Sequence, residues 1–135
     1  MTISRVILTA ALTLSVCAFA QSEKVERGKY LVEEVARCQE CHTPKLADGS
    51  FDREKWMKGA TLNIQPIEPV ANWYKAAPDI TPSGRMWGRW TDKGILNYLK
   101  TGLGPQGKPG APPMPTYKMR PEDSEAVFEY LKSLK

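Results

Sequence analysis

The chain has 135 residues, enough for one hydrophobic core and too few for two. Hydrophobic residues make up 41% and charged residues 25%, a balance that excludes a disordered chain and a multi-span membrane protein. The formal charge of +4 is mixed with Glu along the chain rather than gathered on one basic face, so no nucleic-acid partner is expected and the charge reads as a solvated surface.

Residues 1–20 read as an export signal. Arg5 gives a positive start, an apolar run follows from Val6 to Val16, and Ala18-Phe19-Ala20 is a small-x-small cleavage site. Cleavage is expected between Ala20 and Gln21, which leaves residues 21–135 as one exported, periplasmic domain. The alternative is an uncleaved membrane anchor, against which the apolar run is short of the roughly 20 residues a span needs. Lipid attachment through Cys17 is disfavoured, because Val16 stands where a small residue is wanted.

The first helix is expected from Glu23 to Arg37, with Val25, Gly28, Leu31 or Val32, and Val35 at three- to four-residue spacing. Gly28 costs such a helix about 1 kcal/mol against Ala. It either admits the close approach of another helix or is merely tolerated near a helix start.

Next comes Cys38-Gln39-Glu40-Cys41-His42, the C-x-x-C-H pattern of haem c attachment. Two thiols three residues apart on one turn can each add to one vinyl group of a porphyrin, and the imidazole that follows is held under the iron. Zinc wants four Cys or His ligands, and residues 21–135 contain three. A thioredoxin-like pair wants a strand leading in, whereas a helix pattern leads in here. A disulfide across three residues closes almost no loop and would stabilise little. Because His42 is the only histidine, two histidines from one chain cannot ligate the iron. The sixth ligand is then Met, another weak donor, water or nothing.

Residues 43–90 are the least regular. Asp52 can cap a short helix from Arg53 to Lys58, ended by Gly59, and Pro66, Pro69, Pro78 and Pro82 then forbid long helices. This stretch is expected to wrap the haem. Trp56, Trp73, Trp87 and Trp90 are candidates to pack on the porphyrin or to donate an indole N–H to a propionate, with ordinary core filling as the alternative for each.

A helix is expected from Thr91, its N-cap, to Thr101, with Ile95, Leu96, Tyr98 and Leu99 inward and Gly102 as terminator. Leu103 to Pro115 is Gly- and Pro-rich loop. Pro121 opens the last helix, acidic residues follow at its start, and Ala126, Val127, Tyr130, Leu131 and Leu134 form its buried stripe. The fold class is therefore all-α, with short helices and long loops around one haem and the last helix packed across the first.

Met57, Met86, Met114 and Met119 are the thioether candidates of residues 21–135. Met114 is favoured because Pro112-Pro113-Met114-Pro115 cannot be helix and its prolines should hold the backbone stiff and extended, presenting a thioether at low entropic cost. Met119 is second.

These blocks together resemble a class I, mitochondrial-type cytochrome c domain, most like the bacterial monohaem cytochromes that serve membrane-bound dehydrogenases and oxidases. The resemblance rests on Arg27-Gly28-Lys29-Tyr30-Leu31 with Cys38-Gln39-Glu40-Cys41-His42-Thr43-Pro44. It continues in Pro78-Asp79-Ile80-Thr81-Pro82, Trp90-Thr91-Asp92 and Tyr98-Leu99-Lys100-Thr101-Gly102. Pro113-Met114-Pro115 with Tyr117, then Glu122-Asp123 and Tyr130-Leu131-Lys132-Ser133-Leu134, complete it. It implies the cytochrome c fold, His42 and Met114 as axial ligands, and packing of the Gly28 region on the last helix near Tyr130. It also implies a carrier of single electrons between a dehydrogenase or respiratory complex and an oxidase, with contact to a membrane only through a partner or an uncleaved N-terminal anchor. The segment Lys45–Ala77 departs from the pattern by its length. The other reading is a haem enzyme or gas sensor with an open iron; it needs a polar distal group, and no second His is present to serve.

Overall fold

The computed structural model describes residues 21–135, so the expected cleavage site at Ala20 lies at the edge of, and the export signal outside, the described residues. The first helix, α1, is α-helical over residues 21–30 and ends in a π-helical turn, Leu31–Val35. It stops two residues before the expected Arg37, which takes a left-handed φ of 51°. The remaining helices are α2 (Gln39–His42), α3 (Arg85–Arg89), α4 (Asp92–Thr101) and α5 (Pro121–Ser133).

Helices α4 and α5 begin and end where their capping residues dictate. The Thr91 hydroxyl accepts from the Gly94 N–H, and Gly102 closes α4 at φ 75° with its N–H on the Tyr98 carbonyl. Pro121 occupies the first turn of α5, with Glu122 and Asp123 at the positive end of its dipole. The core gathers Val32 of α1, Ile95 and Leu99 of α4, and Val127, Phe128, Tyr130 and Leu131 of α5, joined by Met57 and Ile80 from the loops. Phe128 was not expected in the buried stripe, and Leu134, which was, is only partly buried.

The α1–α5 crossing depends on Gly28. A Cβ there would lie 1.9 Å from the Ala126 carbonyl oxygen and 2.7 Å from Tyr130 Cβ, so the two backbones are in contact and any side chain would force them apart. Of the two readings of Gly28, close approach is the one observed. The rim of the crossing is polar: Lys24 pairs with Glu125 at 2.8 Å, and the Arg27 guanidinium holds Asp123 at 2.8 and 2.5 Å.

Residues 43–90 hold more structure than expected. The helix expected from Arg53 to Lys58 is shortened to a 3₁₀ turn, Arg53–Lys55, because Met57 adopts a left-handed φ of 59° and goes fully into the core. Asp52 does cap it, accepting from the Glu54 N–H. A two-stranded antiparallel ribbon joins β1 (Ala60–Thr61) to β2 (Ala76–Ala77), pairing Ala60 with Ala77 and Thr61 with Ala76. The ribbon closes the base of an arm, residues 62–75, on which Ile64, Ile67, Val70 and Tyr74 are exposed. Met86 and Trp87 lie on the short helix α3.

Candidate haem site

The turn that carries the two cysteines is built from the end of α1. A helix terminus leaves its last carbonyls without intrahelical partners. Here the motif itself supplies them. The Ala36 N–H donates to the Leu31 carbonyl at 2.8 Å, the Cys38 N–H to Val32 at 2.9 Å, and the Gln39 amide Nε2 to Glu33 at 2.7 Å. The wide π turn and the left-handed Arg37 reverse the chain, and α2 then places Cys38 and Cys41 one turn apart, with the Cys41 N–H on the Cys38 carbonyl. Both cysteines are free and half-buried. Burial pushes the Cys38 thiol up to about 11, so it is a neutral S–H in this structure.

His42 is 4% exposed, and its Nδ1 donates to the Pro78 carbonyl, 36 residues away, at 2.7 Å. That bond selects the tautomer with a proton on Nδ1 and leaves the Nε2 lone pair free for a metal. Burial lowers the imidazole's pKa, against the opposing pulls of the Pro78 carbonyl and the Asp79 carboxylate, which keeps the ring neutral as a ligand must be. The backbone around it is fixed as well. Gly59 donates its N–H to the His42 carbonyl at 2.8 Å, and the buried Thr43 hydroxyl accepts the Met57 N–H at 2.9 Å.

Met114 faces this group. One cleft is lined by Cys38, Cys41, His42, Met114, Pro115 and Tyr117, among others. Leu31, Val35 and Met119 line the neighbouring hollow, which shares Ala36 and Tyr117 with it; the lining is mostly apolar, with Arg37 and Glu40 at the cleft and Lys118 and Asp123 at the hollow. Met57 is in the core, Met86 packs against the core, and Met119 lies along the neighbouring hollow. The Met114 loop is not extended as expected: it turns, with the Met114 N–H on the Ala111 carbonyl at 3.1 Å and a cis peptide between Pro112 and Pro113. Two long-range bonds tie it down. The Tyr74 N–H donates to the Pro112 carbonyl at 2.8 Å, and the Tyr117 hydroxyl donates to the Ala36 carbonyl at 3.2 Å. Burial raises the Tyr117 hydroxyl to about 12, so it stays protonated and able to donate.

No residue of the stretch 43–90 lines either of these two hollows; Met57 and Gly59 instead hold the backbone at Thr43 and His42. Three of the four tryptophans spend their indole N–H inside the protein. Trp56 donates to the Tyr130 hydroxyl at 3.2 Å, Trp87 to the Ile80 carbonyl at 3.0 Å and Trp73 to the Ile64 carbonyl at 3.3 Å. Trp90 packs edge-on against Tyr98, with ring centroids 5.3 Å apart.

The residues missed in the sequence are the ones that act through backbone: Pro78 as acceptor for His42, Gln39 as cap of the π turn, and Tyr117 as a strut. Pro78 and Tyr117 both sat in the blocks that carried the resemblance, which is the only signal they gave.

The Cytochrome c family model matches residues 25–135. The chain belongs to the cytochrome c family. It is a haem c electron-transfer domain rather than a catalytic enzyme, with the helical fold expected of one. The chain is 32% identical over 112 residues to a protein named diheme cytochrome c-type from Cereibacter sphaeroides, covering 79% of this chain and 34% of that one. It is 30% identical over 114 residues to the fructose dehydrogenase cytochrome subunit of Gluconobacter japonicus, covering 80% and 21%. It is 28% identical over 136 residues to the cytochrome c subunit of the quinone-type alcohol dehydrogenase of Gluconobacter oxydans, covering 96% and 28%. The chain thus spans about a third or less of the length of these relatives. The cleft of this cytochrome suits haem c in its donor set: two unpaired thiols one turn apart, a neutral imidazole held by its Nδ1, and a thioether lining the same cleft. Among the described residues no helix is long and apolar enough to cross a membrane.

Proposed function

We propose that this cytochrome carries single electrons on one haem c, joined through Cys38 and Cys41 and ligated by His42 and Met114. In this reading it exchanges them with redox proteins, a dehydrogenase or respiratory complex on one side and an oxidase on the other, after export to the periplasm. The observation that carries the reading is that Cys38, Cys41, His42 and Met114 line a single cleft although Met114 is 72 positions beyond His42. The naming of two relatives as cytochrome subunits of sugar and alcohol dehydrogenases supports a dehydrogenase partner.

When bound, the haem supplies an iron that alternates between ferric and ferrous. The protein's residues do the rest. The two cysteines hold the group by covalent bonds, and His42 is presented in one tautomer by Pro78. Met114, a soft donor, favours the ferrous state and raises the potential. The apolar side chains of Leu31, Ala36 and Met119 beside the cleft would lower the polarity around the group, which suits transfer with little reorganisation.

The test is the visible spectrum of the haem-loaded protein with a redox titration. A low-spin, six-coordinate ferric spectrum with a far-red thioether-to-iron band and a one-electron titration are expected. A high-spin spectrum with immediate binding of carbon monoxide would sink the carrier reading in favour of an open-site enzyme or sensor. Mass spectrometry of the secreted protein is expected to find Gln21 at or near the N-terminus; a chain that keeps Met1 overturns the cleaved-signal proposal.

A further inference from the structure

His42 rests on one carbonyl, and that carbonyl begins a tightly knotted loop. Asp79 follows Pro78, and its Oδ1 accepts from both the Thr81 N–H and the Thr81 hydroxyl, each at 2.7 Å. Ser83 completes the knot: its hydroxyl lies 2.8 Å from that of Thr81 and donates to Asp79 Oδ2 at 3.2 Å. Thr81 is 0% exposed. The loop is also gripped from outside. The Ile80 N–H donates to the Met57 carbonyl at 3.0 Å, the Trp87 indole to the Ile80 carbonyl at 3.0 Å, and the Gly84 N–H to the Thr81 carbonyl at 2.8 Å. Gly84 lies so close that a Cβ on it would come within 2.3 Å of the Asp79 carbonyl oxygen.

The Pro78 peptide group is therefore followed by a side-chain cycle with no evident role in the core. Asp79 spends its carboxylate on its own loop rather than on a cation. Such a cycle holds the backbone from Asp79 onward, and with the Gly59 backbone packed on the Pro78–Asp79 peptide it restrains the plane of that peptide, which sets where the carbonyl points. The strength of the bond from Nδ1 follows from this geometry, and with it the donor strength of the imidazole toward iron.

We propose that Asp79 is a positioning residue for His42: its knot with Thr81 and Ser83 aims the Pro78 carbonyl at Nδ1 and thereby tunes the reduction potential of the haem. The inference rests on His42 being an iron ligand. A firm bond from Nδ1 increases electron donation to the iron and favours ferric over ferrous, so loosening the knot raises the potential.

The experiment compares Asp79→Ala, Asp79→Asn and Thr81→Val in the haem-loaded protein by redox titration, with the proton NMR shift of the His42 Nδ1 hydrogen as a second readout. Asp79→Ala is expected to move the ferric–ferrous equilibrium toward ferrous by up to about tenfold, which is 59 mV for one electron, and to move the Nδ1 resonance. Asp79→Asn keeps an oxygen that can accept from Thr81 and is expected to restore most of both. Thr81→Val keeps volume and charge and the Thr81 N–H bond to Asp79 while removing both contacts of the hydroxyl, to Asp79 and to Ser83; it is expected to shift both readouts in the same direction by less, and it decides the matter should Asp79→Ala fail to fold. Equal shifts in the Ala and Asn variants overturn the proposal, because the carboxylate then acts by charge alone. Unchanged potentials in Asp79→Ala, or in Thr81→Val if it stands in, overturn it as well. If the parent lacks the low-spin spectrum of a His-ligated haem, it is the ligand assignment that fails and not the knot.

Discussion

The two sides of the cleft are held by different means. On the His42 side the chain is held by a series of partners close in space: the imidazole on Pro78, the His42 carbonyl under Gly59, the Thr43 hydroxyl under Met57, and the knotted loop behind. On the Met114 side the chain is a proline-rich turn, tied by the Tyr74 N–H and the Tyr117 hydroxyl and otherwise half-buried at best. One side is rigid by a dense network, the other by stiff covalent geometry and two struts. The difference suits the ligand pair proposed above, with the imidazole as the permanent anchor and the thioether as the weaker, exchangeable donor.

The largest effect expected breaks both sides at once. Replacing Cys38 and Cys41 together by Ala should abolish covalent haem, read as loss of the haem-stained band on a denaturing gel; a band that survives would mean attachment elsewhere. Next comes the Met114 side alone. Met114→Ala should remove the far-red thioether band, lower the potential and let cyanide or carbon monoxide bind much faster, with haem still attached through the cysteines. Met119→Ala should change only packing along the neighbouring hollow. If the Met119 variant loses the band and the Met114 variant keeps it, the ligand assignment is inverted.

Smaller effects sharpen the contrast through stability. Both sides hang on the α1–α5 crossing, so Gly28→Ala should cost about 3 kcal/mol by overpacking, measured by denaturant unfolding of the haem-loaded protein. A cost below that of an ordinary surface change would mean that the helices shift apart freely. Thr43→Val strips the Met57 N–H of its acceptor in a buried place and should cost about 2 kcal/mol. Tyr117→Phe removes one hydroxyl donor from the Ala36 carbonyl on the looser side and should cost about 1 kcal/mol. Reversal of that last order would contradict the claim that the His42 side is the more tightly bound.

Much of the fold could be read along the chain because its signals are local. Thr91 and Gly102 bracket α4, Pro121 opens α5, and the spacing of Ile95 with Leu99 and of Val127 with Leu131 marks their buried faces. The Cys38–His42 motif likewise announces its chemistry within one turn. Errors gathered where backbone conformation, not side-chain pattern, decides. Met57 in a left-handed conformation ends the 3₁₀ turn early, and it offers no Gly or Asn to warn of it. Leu31–Val35 has an ordinary helical sequence, and its π turn arises from how the following motif caps it. The stretch 43–90 read as a haem cover because its prolines forbid long helices; the same prolines equally suit the ribbon-closed arm 62–75 at the surface.

The sequence by itself determined the helix boundaries set by caps, the apolar faces and the chemistry of the two thiols and one imidazole, since each of these is settled by residues within a turn of one another. Only the tertiary structure decided which carbonyl receives the His42 proton, which methionine shares the cysteines' cleft and what buttresses the loop behind them. The physical reason is that these choices rest on long-range contacts, 36 residues apart for His42 with Pro78 and 81 for Tyr117 with Ala36. Their acceptors are main-chain carbonyls, which every residue carries and which leave no mark in the amino-acid alphabet.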